Sequence, residues 1–343
     1  KALVDFFLDG DQWFIRGDSF DFTAMGRGVS RANTDRAGLA MIGPVGDVRA
    51  LGDYRADELT AMKARLEAAQ STGVADPAQA ISGNRHFWRS DIMTHHRPEY
   101  YASVKTSSTR TYQPESGNGE GLKNLHLADG VNLIMRTGDE YDGIFPVWDW
   151  RRLPGTTTEQ SSYSLKPSRD WGVYGNSTYV GCVSDGSYGA TALDYARLNV
   201  AAKKAWFFFD DEFVALGAGI NGPSATNTVI TTLNQTLANG PVTYATTAGS
   251  VQTLTSGAVT RGDLAWVHHD GVGYTFLAPP ASATVQTVSQ SGSWYSINES
   301  YSSATVTRDV FSLQVNHGPR PNGSAYAYVV APGLAASEMA SYV

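Results

Sequence analysis

At 343 residues the chain is long for one domain and comfortable for two. Only 17% of it is charged, with 42% hydrophobic residues, 35 glycines and abundant Ser, Thr, Tyr and Trp, which suits a β-rich, secreted type of protein better than a helical cytosolic one. The net charge of -7 argues against non-specific binding to nucleic acid or an acidic membrane, the single cysteine, Cys182, excludes an internal disulfide and a thiolate metal cluster, and no apolar run of about 18 residues is present to span a bilayer.

The opening Lys1-Ala2-Leu3-Val4-Asp5-Phe6-Phe7 lacks the basic, apolar and small-residue order of a signal peptide, so the chain reads as a piece that begins mid-protein, with any export signal outside it. Lys1 to Leu8 reads as the end of a buried helix, stopped by Asp9-Gly10-Asp11. Gln12 to Arg31 alternates through Phe20, Phe22 and Met25, which favours extended structure. It ends on Arg27 and Arg31 around Gly28. Two arginines there are either solvent-facing charges or a paired guanidinium site that holds a carboxylate or sulfate by bidentate hydrogen bonds. Thr34 to Tyr54 reads as loop and short helix, with Pro44 and several glycines as breaks. Asp57 to Gln70 is the clearest helix, with Leu59, Met62 and Leu66 on one stripe and Ser71-Thr72-Gly73 ending it. No comparable helix follows, which puts a domain boundary at Asp76-Pro77: a helical part over 1–76 and a β part over 77–343.

From Ile81 onward strand follows strand, beginning with His86 to Met93 and Tyr100 to Thr109 around a turn at Arg97-Pro98-Glu99. His95 and His96, adjacent on a strand, point to opposite faces and do not readily share a metal ion. The stretch from Arg110 to Pro154 carries the densest polar pattern: the Gly-rich turn Glu115-Ser116-Gly117-Asn118-Gly119-Glu120-Gly121, an alternating run from Asn124 to Leu133, and Trp148-Asp149-Trp150 closed by Arg151, Arg152 and Pro154. Glycines on both sides of Asn118 permit positive φ and a close backbone approach, which builds either a recognition loop or an ordinary hairpin connection. Thr156 to Asn176 is polar and loop-like. Its Trp171, beside Gly172 and Gly175, is either a packing anchor or a platform for a sugar ring. Further strands are expected at Thr178 to Val200, Lys203 to Gly217, Asn227 to Thr236, Val242 to Tyr244, Asp263 to His268, Gly273 to Leu277, Ser293 to Ile297, Ala304 to Val315 and Ala325 to Val330. Asp210-Asp211-Glu212, after a buried aromatic strand, could bind calcium or simply be a solvated turn. His268-His269-Asp270-Gly271 and Asn316-His317-Gly318 read as turns.

ESGNGEG at Glu115 to Gly121, the L-x-DG run ending at Asp129-Gly130, PVWDWRRLPGTT at Pro146 to Thr157 and HDGVGY at His269 to Tyr274 stand in order along the chain. Together they resemble the bacterial polysaccharide lyases that include chondroitin AC lyase, hyaluronate lyase and xanthan lyase. That resemblance implies a large antiparallel β-sandwich, a supersandwich of the galactose mutarotase-like class, preceded by the end of an α/α toroid. It implies secretion, no cofactor or metal, and an anionic polysaccharide such as chondroitin sulfate or hyaluronan as partner, cleaved by β-elimination. Arg27 and Arg31 match the family's R-x-x-x-R pair, Glu115 and Asn118 its E-x-x-N motif, and Trp171 a tryptophan that meets the sugar chain. Trp148 and Arg151, in the PVWDWRR segment, are further expected substrate contacts. In the family, neutralising the uronate carboxylate, removing the C5 proton and protonating the leaving oxygen fall to an Asn, a His and a Tyr of the helical toroid, helped by an Arg. Most of that toroid is missing here, so it is expected as a partner, and this chain alone should have little activity. The rival readings are a non-catalytic carbohydrate-binding sandwich with Trp171, Trp148 and Trp150 as platforms, and a mutarotase-like enzyme, which would need a His and a carboxylate converging on one face.

Overall fold

The computed structural model describes residues 1–342. Strands take 39% of the residues and helices 19%, so the chain is mainly β with a short helical start. The helical part consists of Ala2–Asp9, Ile42–Arg49 and Ala56–Thr72. In Ala56–Thr72 the residues Leu59, Met62, Leu66 and Ala69 form one buried stripe, Asp57 and Glu58 complement the first turn, and Gly73 closes the helix in a left-handed conformation (φ 79°). Its stripe meets Val4, Phe7 and Leu8 of the first helix and Val45 and Val48 of the second. Pro44 does not break the chain as expected. It lies in the first turn of Ile42–Arg49, where a missing N–H deprives the helix of nothing.

Three antiparallel sheets follow. The nine-stranded sheet runs in the order Val251–Leu254, Val242–Thr246, Leu264–His269, Val272–Phe276, Ser324–Pro332, Phe213–Asn221, Val200–Phe208, Gly189–Arg197, Val180–Ser184. The five-stranded sheet is Gly257–Arg261, Ala283–Gly292, Val306–Gly318, Val229–Leu237, Thr157–Glu159, and the four-stranded one Gly83–Phe87, Ile92–Arg97, Tyr100–Lys105, Val131–Met135. Burial alternates along Val200–Phe208, as it must in a sheet with one wet face. By contrast Ile92–Arg97, Tyr100–Lys105 and Val131–Met135 are buried at every position. The reason is that the four-stranded sheet is covered on both sides. Tyr100, Ala102, Val104 and Ile134 join the main core with residues of the other two sheets, while Tyr101, Val131, Leu133 and Met135 join a second core built from Phe22, Val29 and residues between Tyr141 and Leu153.

That second core explains the largest correction. Gln12 to Arg31 is not an extended run: it holds a short hairpin, Ile15–Arg16 with Ser19–Phe20, and then the 3-10 turns Phe22–Ala24 and Gly26–Ser30. The aromatic spacing that imitates a strand serves to plug Phe22 against Tyr141, Phe145 and Trp148. Smaller differences follow the same logic. His86 to Met93 is divided by a turn in which Asp91 takes φ 47°. Ser293 to Ile297 forms the 3-10 turn Trp294–Ser296, and Asn316-His317-Gly318 is not a turn but the end of Val306–Gly318. The Asp270-Gly271 turn does join two paired strands, both of its residues having positive φ (46° and 69°), as a tight hairpin requires. His95 and His96 do face opposite ways, one ring toward the Phe209 carbonyl and the other toward that of Trp13. Asp210 is tied to Arg97 and to the Tyr188 hydroxyl.

Candidate functional site

The ESGNGEG segment is a tight turn whose geometry follows from its residues. Gly117 and Glu120 exchange both backbone hydrogen bonds (3.1 and 2.9 Å) around Asn118 and Gly119, which have φ 53° and 76°. Two successive positive φ values define the turn that Asn-Gly favours. Its flanks are fixed on both sides. The Trp171 N–H donates to the Ser116 carbonyl (2.6 Å), the Glu299 N–H to that of Gly119 (2.9 Å), and the Gly121 N–H to Ser30 Oγ (3.1 Å).

This turn carries its two carboxylates to the arginine pair. Arg27 lies in the 3-10 turn Gly26–Ser30 and Arg31 caps it, and Val29 of the same turn is anchored in the second core. Arg27 Nη1 donates to Glu115 Oε1, the Arg27 N–H to Glu115 Oε2 (3.1 Å) and Arg27 Nε to Glu120 Oε2 (2.9 Å). Arg31 grips Glu120 with two parallel bonds, Nε to Oε1 (3.0 Å) and Nη2 to Oε2 (2.8 Å). Those bonds, against some opposing burial, hold the Glu120 carboxyl below the usual carboxylate range, and they raise the Arg31 guanidinium. Gly26 is required: it has φ 57°, and a Cβ there would lie 2.3 Å from Glu115 Oε2. Each guanidinium keeps one nitrogen, Arg27 Nη2 and Arg31 Nη1, with no hydrogen-bond partner among the described residues. The glutamates thus aim the arginines without using up their donors.

Trp171 completes the cluster. It takes a left-handed backbone conformation (φ 68°), is 52% exposed, and sets its indole 5.0 Å from the Arg27 guanidinium while lying against Gly117. Asn118 is exposed at the tip of the turn, and its side chain makes no hydrogen bond among the described residues. Glu115, first residue of the E-x-x-N motif, thus pairs with Arg27. Sequence reasoning missed Glu120, the carboxylate that joins the two arginines, although it stood in view inside the Gly-rich motif. It also missed Asn298, which donates to the Ser30 carbonyl (3.3 Å) and lies 3.4 Å from Glu120 Oε1, and Tyr301, whose hydroxyl accepts from the Ala32 N–H (3.1 Å). Nothing in the sequence links a residue near 300 to one near 30.

One expected substrate contact is corrected. Trp148 is only 3% exposed. It packs on Phe22, Tyr141, Phe145 and Trp150, with Nε1 donating to the Gln235 carbonyl, so it has no face to offer a sugar. Trp150 is buried beside it, which removes that platform from the rival reading too. Arg151 spends its Nε and Nη2 on the carbonyls of Ser161 and Tyr163 (2.7 Å each) and lies over the Tyr163 ring. It anchors a loop and shares no hydrogen bond with the Arg27 cluster.

A second polar constellation is buried under the L-x-DG motif. Asp129 receives Arg197 through Nε on Oδ2 (3.0 Å) and Nη2 on Oδ1 (2.7 Å), and His126 Nδ1 shares Oδ2 at 2.8 Å. His126 Nε2 meets the Tyr163 hydroxyl at 2.8 Å. The ionised Asp129 is acceptor-only, so the His126 Nδ1–H donates to it.

The chain is thus an antiparallel super-sandwich that presents an Arg-Glu cluster and an exposed tryptophan beside a Gly-rich turn. Residues 82–343 match the super-sandwich domain of polysaccharide lyase family 8, and the chain belongs to that family. It is 40% identical over 331 residues to the chondroitinase-AC of Pedobacter heparinus, covering 93% of this chain and 44% of that protein, and 30% identical to a hyaluronate lyase of Thermasporomyces composti, covering 83% and 38%. Among solved structures, a chondroitinase AC lyase studied as oligosaccharide complexes superposes with a TM-score of 0.91 at 37% identity, covering 99% of this chain and 49% of that one. The chain therefore spans less than half the length of the relatives it matches.

Proposed function

We propose that this chain forms one wall of the cleft of a secreted lyase that cleaves uronic acid-containing glycosaminoglycans, chondroitin or hyaluronan, by β-elimination. The observation that carries this reading is the Arg27–Glu115 and Arg31–Glu120 cluster, with one free donor nitrogen on each guanidinium, next to the exposed Trp171. In such a reaction the uronate carboxylate is neutralised, a base removes the C5 proton, and an acid protonates the departing glycosidic oxygen. Arg27 and Arg31 suit the first task, as fork-shaped donors to a carboxylate or sulfate. Trp171 offers a ring face to a sugar, and Asn118 offers an amide with no other commitment.

The base and acid would come from a helical region that pairs with this chain. Two observations support that. None of the seven histidines contacts the cluster among the described residues: His95, His96, His126, His268, His269 and His317 are bonded elsewhere, and His86 lies half-buried in the four-stranded sheet. On the helical segment Leu3, Phe6 and Leu51 are exposed, an apolar surface suited to further helices.

The test follows the absorbance of the unsaturated uronate product with chondroitin sulfate or hyaluronan. The expected result is little or no product with this chain alone and turnover when it is joined to the helical region of the family. Full turnover by the chain alone, or none by the joined protein, would contradict the proposal.

A further inference from the structure

We infer that Tyr112 and Tyr174 form a second stacking platform, which lengthens the site beyond Trp171 and takes the continuing sugar units of an anionic polysaccharide. The inference rests on the reading of Arg27, Arg31 and Trp171 given above and adds residues that no sequence motif marks. Two chain segments build the platform side by side. Tyr112 and Tyr174 form an antiparallel bridge, the Gln113 N–H donates to the Val173 carbonyl (2.7 Å), and the Gly175 N–H donates to that of Ser108 (3.0 Å). The two rings meet edge to face with centroids 4.8 Å apart. Gly172, at φ 109°, joins them to Trp171: a Cβ there would lie 2.9 Å from the Tyr112 ring, so glycine alone lets that ring close against the Trp171 turn.

The result is an exposed strip of two tyrosine rings, Tyr112 46% and Tyr174 64% exposed, set beside the Trp171 turn by Gly172. Rings of this size are normally buried or used for contact, and a contiguous exposed group marks a binding surface. Neither phenol hydroxyl has a hydrogen-bond partner among the described residues, so both are free to meet sugar hydroxyls. Charge points to an anionic occupant. Arg169, two residues before Trp171, is exposed and makes no ion pair among the described residues, on a chain whose net charge is -7. The strip is tied to the guanidinium cluster along the chain, Trp171 lying against Arg27 and the next residue, Gly172, against the Tyr112 ring. A sugar chain seated on the cluster would therefore meet the tyrosines next.

The experiment is calorimetric titration of this chain with a chondroitin sulfate tetrasaccharide and with the long polymer, using Tyr112→Ala/Tyr174→Ala and Tyr112→Phe/Tyr174→Phe double variants. The alanine pair is expected to lose about tenfold in polymer affinity, the equivalent of about 1.4 kcal/mol, and to keep its tetrasaccharide affinity. The phenylalanine pair, which keeps both ring faces, should retain most of the polymer affinity. Unchanged polymer affinity in the alanine pair overturns the platform and leaves the arginine site standing, as does equal loss for both ligands. A wild-type dimer that the alanine pair dissociates also overturns it, since the strip would then cover a second copy. Failure of the wild-type chain to bind either ligand removes the reading beneath it as well.

Discussion

Arg27→Ala is expected to weaken binding of a chondroitin oligosaccharide by about 100-fold, close to 2.8 kcal/mol, with little change in thermal stability. The size of the effect comes from what Arg27 does for its neighbours. It is the countercharge of Glu115, shares Glu120 with Arg31, and lies against the Trp171 indole. Without it Glu115 loses its ion-pair partner and Glu120 keeps only Arg31, so an anionic ligand would meet two carboxylates facing one cation. Attraction would turn to repulsion at short range, over a surface that is already acidic. Arg31→Ala should cost less, about tenfold, because Glu120 would retain Arg27. Calorimetric titration at two salt concentrations is the check. Binding by Arg27→Ala within threefold of wild type would show that the guanidinium does not face the ligand.

Asp129→Ala is expected to destabilise the fold by about 3–5 kcal/mol, the usual cost of removing one partner of a buried ion pair. Burial works to raise the Asp129 carboxyl, but the Arg197 charge and the His126 hydrogen bond prevail and hold it well below the usual range. A carboxyl lowered on folding contributes stability that is complete above its ordinary value of 3.8 and is lost as pH falls toward the folded value. The difference in melting temperature between wild type and Asp129→Ala should therefore be constant from neutral pH down to about 5 and shrink only in stronger acid. A difference equivalent to under 1 kcal/mol at pH 7 would contradict this account of the motif. The Asp of L-x-DG is thus assigned to holding Arg197 and His126 beneath the sandwich.

How legible this molecule was in its sequence depended on whether local chemistry or distant packing decided each segment. Asp57 to Gln70 and the Asp270-Gly271 hairpin were legible because a helix stripe with its glycine stop, and a turn with two positive φ values, are properties of neighbouring residues. Ala283–Gly292 was not, because its Thr, Gln and Ser residues carry no apolar alternation, although it pairs along its whole length with Val306–Gly318. Phe20, Phe22 and Met25 imitated a strand because aromatics at short spacing look alike whether they line a sheet or plug a core. Trp148 misled for a related reason: its motif was legible, but its direction was set by Phe22 and Gln235, both remote in sequence.

The site divides in the same way. The Asn118-Gly119 turn followed from its residues, whereas the contact of Arg27 with Glu115 spans 88 positions and only the family resemblance pointed to it. Glu120, Asn298 and Tyr301 had no such pointer.

The most direct measurement is backbone hydrogen exchange across the chain with and without a saturating chondroitin oligosaccharide. Protection on binding should concentrate in residues 26–31, 115–121 and 171–175, the three segments that bring Arg27, Glu120 and Trp171 together. Protection confined to the outer face of the nine-stranded sheet, or unchanged exchange at the Gly-rich turn under saturating ligand, would contradict the claim that this cluster is the wall on which the polysaccharide rests.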